Sequence, residues 1–128
     1  MDLTPLIPAG RQIVESYGGG RFRVTGVVYQ GSVLVFPART IAWPVAAMDQ
    51  LNEQALEPVV AEAQAGGIDL LLLGCGARMA MVPAGVRQHL RAAGVVVEGM
   101  DTGAACRTYN VLMADGRRVA AALIAFNS

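Results

Sequence analysis

The sequence predicts an α/β fold in which buried parallel strands alternate with helices. Residues 68–76 form a short apolar run that ends in two glycines, as strands buried on both faces do. A helix-like segment follows, and then a second apolar run at residues 95–98. This strand, helix, strand succession predicts that residues 70–73 and 95–98 are parallel neighbours joined by a right-handed crossover.

Length and composition predict a single domain that covers residues 1–128. The chain is 54% hydrophobic and only 16% charged, which gives ample material for a core. Because the apolar share exceeds that of an average domain, we expect part of it to lie at an interface with a protein partner or in a homo-oligomer. The longest apolar run is far below the roughly 20 residues that a transmembrane segment needs.

The charged and metal-binding residues exclude several classes of function. Ten arginines balance ten acidic residues, which predicts no binding to nucleic acid. The absence of lysine excludes a Schiff-base lysine and a phosphate-loop lysine. With one histidine, His89, and two distant cysteines, Cys75 and Cys106, we expect neither a metal site nor a cofactor. Residues 1–5 lack the features of a secretion signal or a transit peptide, so we expect a cytoplasmic protein.

The N-terminal half predicts short strands. Residues 12–17 and the three glycines after them predict a strand and a tight reversal. Residues 21–29 and 33–36 are runs of β-branched residues separated by Gln30-Gly31-Ser32, a pattern typical of a hairpin. Beyond this hairpin the pattern fits neither a helix nor a clean strand, although residues 41–43 could add a short strand.

The C-terminal half predicts three helices and a last strand. Asp49 or Asn52 is a candidate cap for a first helix that ends at Ala65; alternatively, that helix begins near Glu57 with Pro58 in its first turn. The second helix, the third helix and the last strand are predicted at residues 83–94, 103–114 and 118–126.

Two loops follow the predicted parallel strands and should meet at the edge of the sheet where such folds bind ligands. The first contains Gly74, Gly76 and Arg78, whose backbone N–H groups and guanidinium predict an anion site. A tight turn that packing alone requires is the alternative. The second loop contains Asp101 and Thr102, either of which can cap the third helix.

Cys75 stands between the two glycines of the first loop. Nearby backbone dipoles and an arginine would lower the pKa of its thiol and make it a reactive thiolate. A structural, partly buried thiol is the alternative, since no histidine lies nearby in the sequence to act as a base.

The third helix carries further polar residues, and one of them is a cation. Arg107 either forms a structural ion pair with Glu98 or Asp101, or faces the pocket beside Arg78. The complete candidate ligand-binding set is Gly74, Cys75, Gly76, Arg78, Asp101, Thr102, Arg107, Tyr109 and Asn110.

Three stretches of the sequence resemble one known family. They are residues 29–35, the run Leu72-Leu73-Gly74-Cys75-Gly76, and residues 98–112, which contain Met100-Asp101-Thr102 and Arg107-Thr108-Tyr109-Asn110. The chain is similar over nearly its whole length to the Mth938-like family, also called DUF498, which includes a mitochondrial complex I assembly factor and an adipogenesis-associated protein. The resemblance implies a three-layer α/β fold with a mixed central sheet, crossover helices and an N-terminal β-hairpin.

The resemblance implies a function only indirectly. The family as a whole has no established reaction, so no catalytic residue carries over, and its frequent Gly-Thr-Gly at residues 74–76 argues against a nucleophilic cysteine. We expect an uncharacterised, non-catalytic cytoplasmic protein that binds partners or assists assembly of a respiratory or membrane complex. One alternative is an anion or small-metabolite binding module that uses the loop from Gly74 to Arg78 together with Thr102. Another is a thiol-dependent enzyme that uses Cys75.

Overall fold

The structure, a computed structural model, describes residues 10–127. Residues 1–5, on which the expectation about targeting signals rests, lie outside the described residues. The described part contains a three-stranded antiparallel sheet, a five-stranded mixed sheet and three α-helices. No helix within residues 10–127 is long and apolar enough to cross a membrane. The predicted α/β class is confirmed.

The small sheet consists of three antiparallel strands in chain order, and the central sheet mixes both directions. The small sheet contains Val14–Gly18 (β1), Arg21–Val24 (β2) and Val27–Gln30 (β3). The central sheet contains Val33–Val35 (β4), Thr40–Ala42 (β5), Leu70–Gly74 (β6), Val96–Met100 (β7) and Val119–Leu123 (β8). Its strand order is β5-β4-β8-β6-β7, and β6 runs parallel to both β7 and β8. The predicted parallel pair is therefore confirmed, and β5 provides the short strand foreseen near residue 41.

The predicted hairpin with its turn at residues 30–32 is wrong. The chain reverses earlier, at Thr25 and Gly26, whose φ angles are 44° and 82°. A positive φ is rare for threonine, but the turn is held because the Thr25 hydroxyl accepts a hydrogen bond from the Ile13 amide at 2.9 Å. The Gly26 amide also donates to the Glu15 carboxylate at 2.7 Å. As a result, β2 pairs with β3 in the small sheet, and β4 joins the central sheet.

The three helices are Glu57–Gln64 (α1), Ala84–Ala92 (α2) and Thr102–Ala114 (α3). The later of the two predicted starts for α1 is confirmed, with Pro58 in the first turn, where the missing N–H of proline costs nothing. Asp101 caps α3, because its carboxylate accepts a hydrogen bond from the Ala104 amide at 2.9 Å.

The central sheet separates two clusters of buried apolar side chains. Successive residues of a strand point to opposite faces, so Leu71 and Leu73 of β6 pack with α1 and α2. Leu72 points to the other face, where it packs with α3 and with Phe22 of the small sheet. The molecule therefore has three layers: α1 and α2, then the central sheet, then α3 with the small sheet. This arrangement confirms the three-layer fold that the resemblance implied.

Candidate functional site

The loops after β6 and β7 meet at the carboxyl ends of these parallel strands, as predicted. The Cys75 amide donates to the Met100 carbonyl, and the Thr102 amide donates to the Gly76 carbonyl, both at 2.8 Å. We call residues 74–76 and 100–102 the loop junction. Its two sides are linked by their own backbone hydrogen bonds.

Thr102 lies at the centre of the loop junction and is fully buried. Its hydroxyl accepts a hydrogen bond from the Gly76 amide at 2.9 Å and donates to the Ile124 carbonyl at 2.8 Å. One side chain thus connects the end of β6, the residue after β8 and the start of α3. Because the Gly76 N–H is already donated to this hydroxyl, it is not free to bind an anion in this conformation.

Gly74 is needed for close packing. A Cβ atom at this position would lie 2.9 Å from the Thr102 Cα atom and 3.2 Å from the Leu123 Cδ2 atom. Gly76 has a φ of 103°, which favours glycine for conformational reasons. Close packing accounts for Gly74 and the backbone conformation accounts for Gly76, so neither glycine requires a ligand.

The structure places Arg78 and Arg107 at the surface, both exposed. The Arg107 guanidinium donates to the Tyr17 hydroxyl at 2.8 Å. Within residues 10–127 it forms no ion pair with Glu98 or Asp101, so the predicted ion pair is not made. The Tyr17 contact spans 90 positions of the chain, and no local pattern in the sequence indicates it.

Tyr109 and Asn110 serve the packing of α3 against the small sheet. Tyr109 is fully buried, and its hydroxyl donates to the Gln12 carbonyl at 3.0 Å. The Asn110 side chain bonds both backbone groups of Val14: its Oδ1 accepts from the amide at 2.9 Å, and its Nδ2 donates to the carbonyl at 2.8 Å. Both side chains are therefore engaged in contacts with the N-terminal part of the chain.

Cys75 is half-buried at the end of β6. Its Sγ atom lies 3.6 Å from the Leu73 carbonyl oxygen and 3.7 Å from that of Ala80. The histidine of the chain, His89, has its Nδ1 atom 3.7 Å from the Glu53 carboxylate. Residues 10–127 contain no group of three His, Cys, Asp or Glu side chains that could hold a metal ion. A thiol-dependent activity of Cys75 stays a prediction, and labelling of the thiol at several pH values tests it.

Burial raises the pKa of two groups on α3. It raises the pKa of the Cys106 thiol from its ordinary value of 9.0 to about 12, because the charged thiolate would be cut off from water. Burial likewise raises the pKa of Tyr109 above its ordinary value of 10.0. Both groups therefore stay neutral in the folded protein at neutral pH.

We expect the stability of the protein to fall as the pH rises above about 9. In the unfolded chain the Cys106 thiol loses its proton near its ordinary pKa of 9.0, whereas in the folded protein it retains it up to about 12. The folded state then binds more protons than the unfolded state, so rising pH favours unfolding. Urea unfolding between about pH 7 and pH 10 measures this slope. Cys106→Ala should reduce it, and an unchanged slope in that variant would contradict the assignment.

Comparison with known proteins identifies the family. The sequence profile described as "Protein of unknown function (DUF498/DUF598)" matches residues 14–124. An uncharacterised protein of Rhodobacter capsulatus is 40% identical over 116 residues, which cover 91% of this chain and 86% of that protein. A solved Bordetella pertussis protein, named as a Mth938-like domain, is 30% identical with a TM-score of 0.83, and the match covers all of this chain and 95% of that one.

A zebrafish protein is similar as well and carries a functional name. It is called NADH dehydrogenase (ubiquinone) 1 alpha subcomplex assembly factor 3, and it is 34% identical over 113 residues. The match covers 88% of this chain but 63% of the zebrafish protein, so the chain spans less than two thirds of that relative. The resemblance noted in the sequence is thus confirmed: the chain belongs to the DUF498/DUF598 family and has its Mth938-like fold.

Proposed function

We propose that this protein is a non-catalytic binding protein of the cytoplasm that assists the assembly of a respiratory complex. The observation that carries the proposal is the similarity, over 88% of the chain, to a protein named as an NADH dehydrogenase assembly factor. An assembly factor acts by contacting other proteins, so the surface of this domain is the functional part under this proposal.

The contacts of the candidate site residues favour a non-catalytic role. Catalysis requires polar groups that are free to reach a substrate. Here the Thr102 hydroxyl is committed to Gly76 and Ile124, and the Asn110 amide is committed to Val14. Most of the polar groups at the predicted site therefore hold the layers of the fold together.

Deletion of the gene in the source organism tests the proposal. We expect the amount of assembled NADH dehydrogenase complex to fall, as measured on native gels by an in-gel activity stain. A tagged full-length chain should restore the complex and co-isolate with at least one of its subunits. An unchanged amount of assembled complex in the deletion strain would contradict the proposed function.

Anion binding at Arg78 is a second candidate, favoured by one observation. This side chain is exposed and forms no ion pair within residues 10–127. We expect phosphate or a dicarboxylate to raise the melting temperature of the protein if a site exists there. Arg78→Ala should abolish that shift. No shift with phosphates, nucleotides or carboxylates would remove this candidate.

A further inference from the structure

Each of the two sheets has two edge strands, and three of the four edges in the described part of the chain carry features that block another strand. Edge strands need such features because their unpaired N–H and C=O groups attract extended chains. On β1, the ladder is interrupted by an irregularity between Val14 and Ser16. The Asn110 side chain also occupies both backbone groups of Val14. This edge is closed by α3.

The two edges of the central sheet are protected in other ways. On one side, β5 is only three residues long and is bracketed by Pro37 and Pro44, which cannot donate to a neighbouring strand. On the other side, the Arg87 guanidinium donates to the Val97 carbonyl of β7 at 3.0 Å. The same strand carries the exposed, charged Glu98. Each of these features discourages the addition of a strand.

The fourth edge, β3, has none of these features. Its residues are uncharged, contain no proline and pair with β2 in an unbroken register. Val27 and Val28 are 52% and 56% exposed. The Gly31 amide donates to the Gly20 carbonyl at 2.9 Å, and hydrogen-bonded pairs alternate along an antiparallel ladder. The backbone groups of Val28 and Gln30 therefore point away from β2, toward the open edge.

Positive charge lies beside this edge, on the outer face of the small sheet. Arg21 and Arg23 of β2 stand opposite Gln30 and Val28 of β3. Together with residues 16–18 of β1 and with Val28, they line a cavity of about 260 Å³ on the outer face of the small sheet. Arg23 pairs with the Glu15 carboxylate at 3.3 Å, whereas Arg21 forms no ion pair within residues 10–127. A strand added to β3 would place every second side chain on the same outer face of the sheet as Arg21, with β3 between them.

We propose that β3 accepts an extended segment of a partner protein as a fourth strand of the small sheet, with acidic side chains on its outer face. The inference rests on the proposed assembly function, for which it names the contact surface. Backbone hydrogen bonds to Val28 and Gln30 supply the affinity, and the charge of Arg21, which no carboxylate of the described residues pairs, selects an acidic segment.

A second copy of the chain fits this edge less well. A strand of four residues buries far less than the roughly 1,200 Å² of a stable dimer interface. Pairing two copies through β3 would also bring the arginines of both small sheets toward one another. A flexible, acidic partner segment avoids the charge repulsion, and a transient contact does not need the area of a stable dimer.

Peptide binding to the full-length chain tests the proposal. The probe is a fluorescein-labelled peptide of six alternating valines and glutamates, and its control alternates valine with lysine. We expect fluorescence anisotropy to show at least about tenfold tighter binding of the acidic peptide. Two further peptides carry N-methyl groups, one on its valine amides and the other on its glutamate amides. Only one of these sets of amides faces β3, so we expect weaker binding for one of the two peptides and not for the other. Equal binding of the acidic and basic peptides, or no effect of either methylation, would overturn the proposal.

Substitutions in β2 and β3 test which groups of the small sheet bind the peptide. Val28→Pro removes an outward N–H while leaving the pairing with β2, and it should weaken binding of the acidic peptide about tenfold or more. Val28→Thr keeps the N–H and the β-branched shape and should bind as the wild type does. Arg21→Glu should reduce the preference for the acidic peptide. A dimer that forms at β3 and is lost in Val28→Pro would overturn the proposal in favour of a second copy.

One comparison in cells separates this inference from the proposed function. If deletion reduces the assembled complex and the Val28→Pro chain restores it fully, the edge inference is wrong and the assembly function stands. If deletion has no effect on the complex, the assembly function is wrong, and the edge inference loses the partner class on which it rests. Failure of Val28→Pro to restore the complex, with Val28→Thr restoring it, supports both.

Discussion

Replacing Gly74 with alanine should lower the free energy of unfolding by about 3 kcal/mol, the upper end of the range for overpacking in a core. The added Cβ atom would lie 2.9 Å from the Thr102 Cα atom, which belongs to the backbone of α3 and cannot rotate away. It would also lie 3.2 Å from the Leu123 side chain of β8. The end of β6 would then have to move away from α3. Urea unfolding of the purified variant measures the loss.

Gly85 provides the matched control for this substitution. It lies in α2, and a Cβ atom there would meet nothing within 4 Å. Gly85→Ala should therefore leave stability unchanged or raise it by up to about 1 kcal/mol, because alanine favours the helix. A Gly74→Ala variant as stable as Gly85→Ala would show that the loop junction has room to spare. The loop junction of the wild type would then have space for a ligand.

Thr102→Val should lower the free energy of unfolding by about 2–4 kcal/mol, because it leaves two hydrogen-bonding groups buried without a partner. The Gly76 N–H would lose its acceptor and the Ile124 carbonyl would lose its donor. Valine has almost the same shape as threonine, so the loss reports on the hydroxyl rather than on packing.

Serine at position 102 separates the contribution of the hydroxyl group from that of the methyl group. Thr102→Ser keeps the hydroxyl and removes one methyl group, which costs about 1 kcal/mol. We therefore expect this variant to be clearly more stable than Thr102→Val in thermal or urea unfolding. The reverse order would mean that the two hydrogen bonds contribute little and that Thr102 stabilises the fold through its methyl group.

The central strands could be predicted because their signal is local. Four consecutive leucines at residues 70–73, followed by Gly74, cannot be covered on one face alone, so they indicate a strand with layers on both sides. The Asp101 cap of α3 and the proline in the first turn of α1 are also local signals, since each acts on the backbone within one helical turn. These elements are as the sequence indicates.

The hairpin was misplaced because its turn does not have the usual composition. Two-residue turns of this kind favour Asn-Gly or Asp-Gly, whereas here Thr25 takes the first position with a φ of 44°. The contacts that hold it come from Ile13 and Glu15, ten or more residues earlier. A prediction from neighbouring residues alone does not include these contacts, and it therefore places the turn at Gly31.

The sequence predicts that the two loops of the candidate site meet, but it does not predict which of their residues are engaged in packing. The meeting of the two loops follows from the parallel pairing of β6 and β7. Whether Gly74 is free or packed depends on Thr102 and Leu123, which lie 28 and 49 positions further along the chain. Similarly, Asn110 contacts Val14 across 96 positions. Contacts between residues so far apart in the sequence are known only from the folded structure.

Hydrogen exchange of the Gly76 amide, followed by NMR, is the most direct measurement of whether the loop junction is a structural contact. We expect slow exchange in the wild type and much faster exchange in Thr102→Val, because the Thr102 hydroxyl accepts this N–H at 2.9 Å. The Gly76 resonance should not shift when phosphate or a dicarboxylate is added. Rapid exchange in the wild type, or a saturable shift of this resonance with an added anion, would contradict a closed, structural junction.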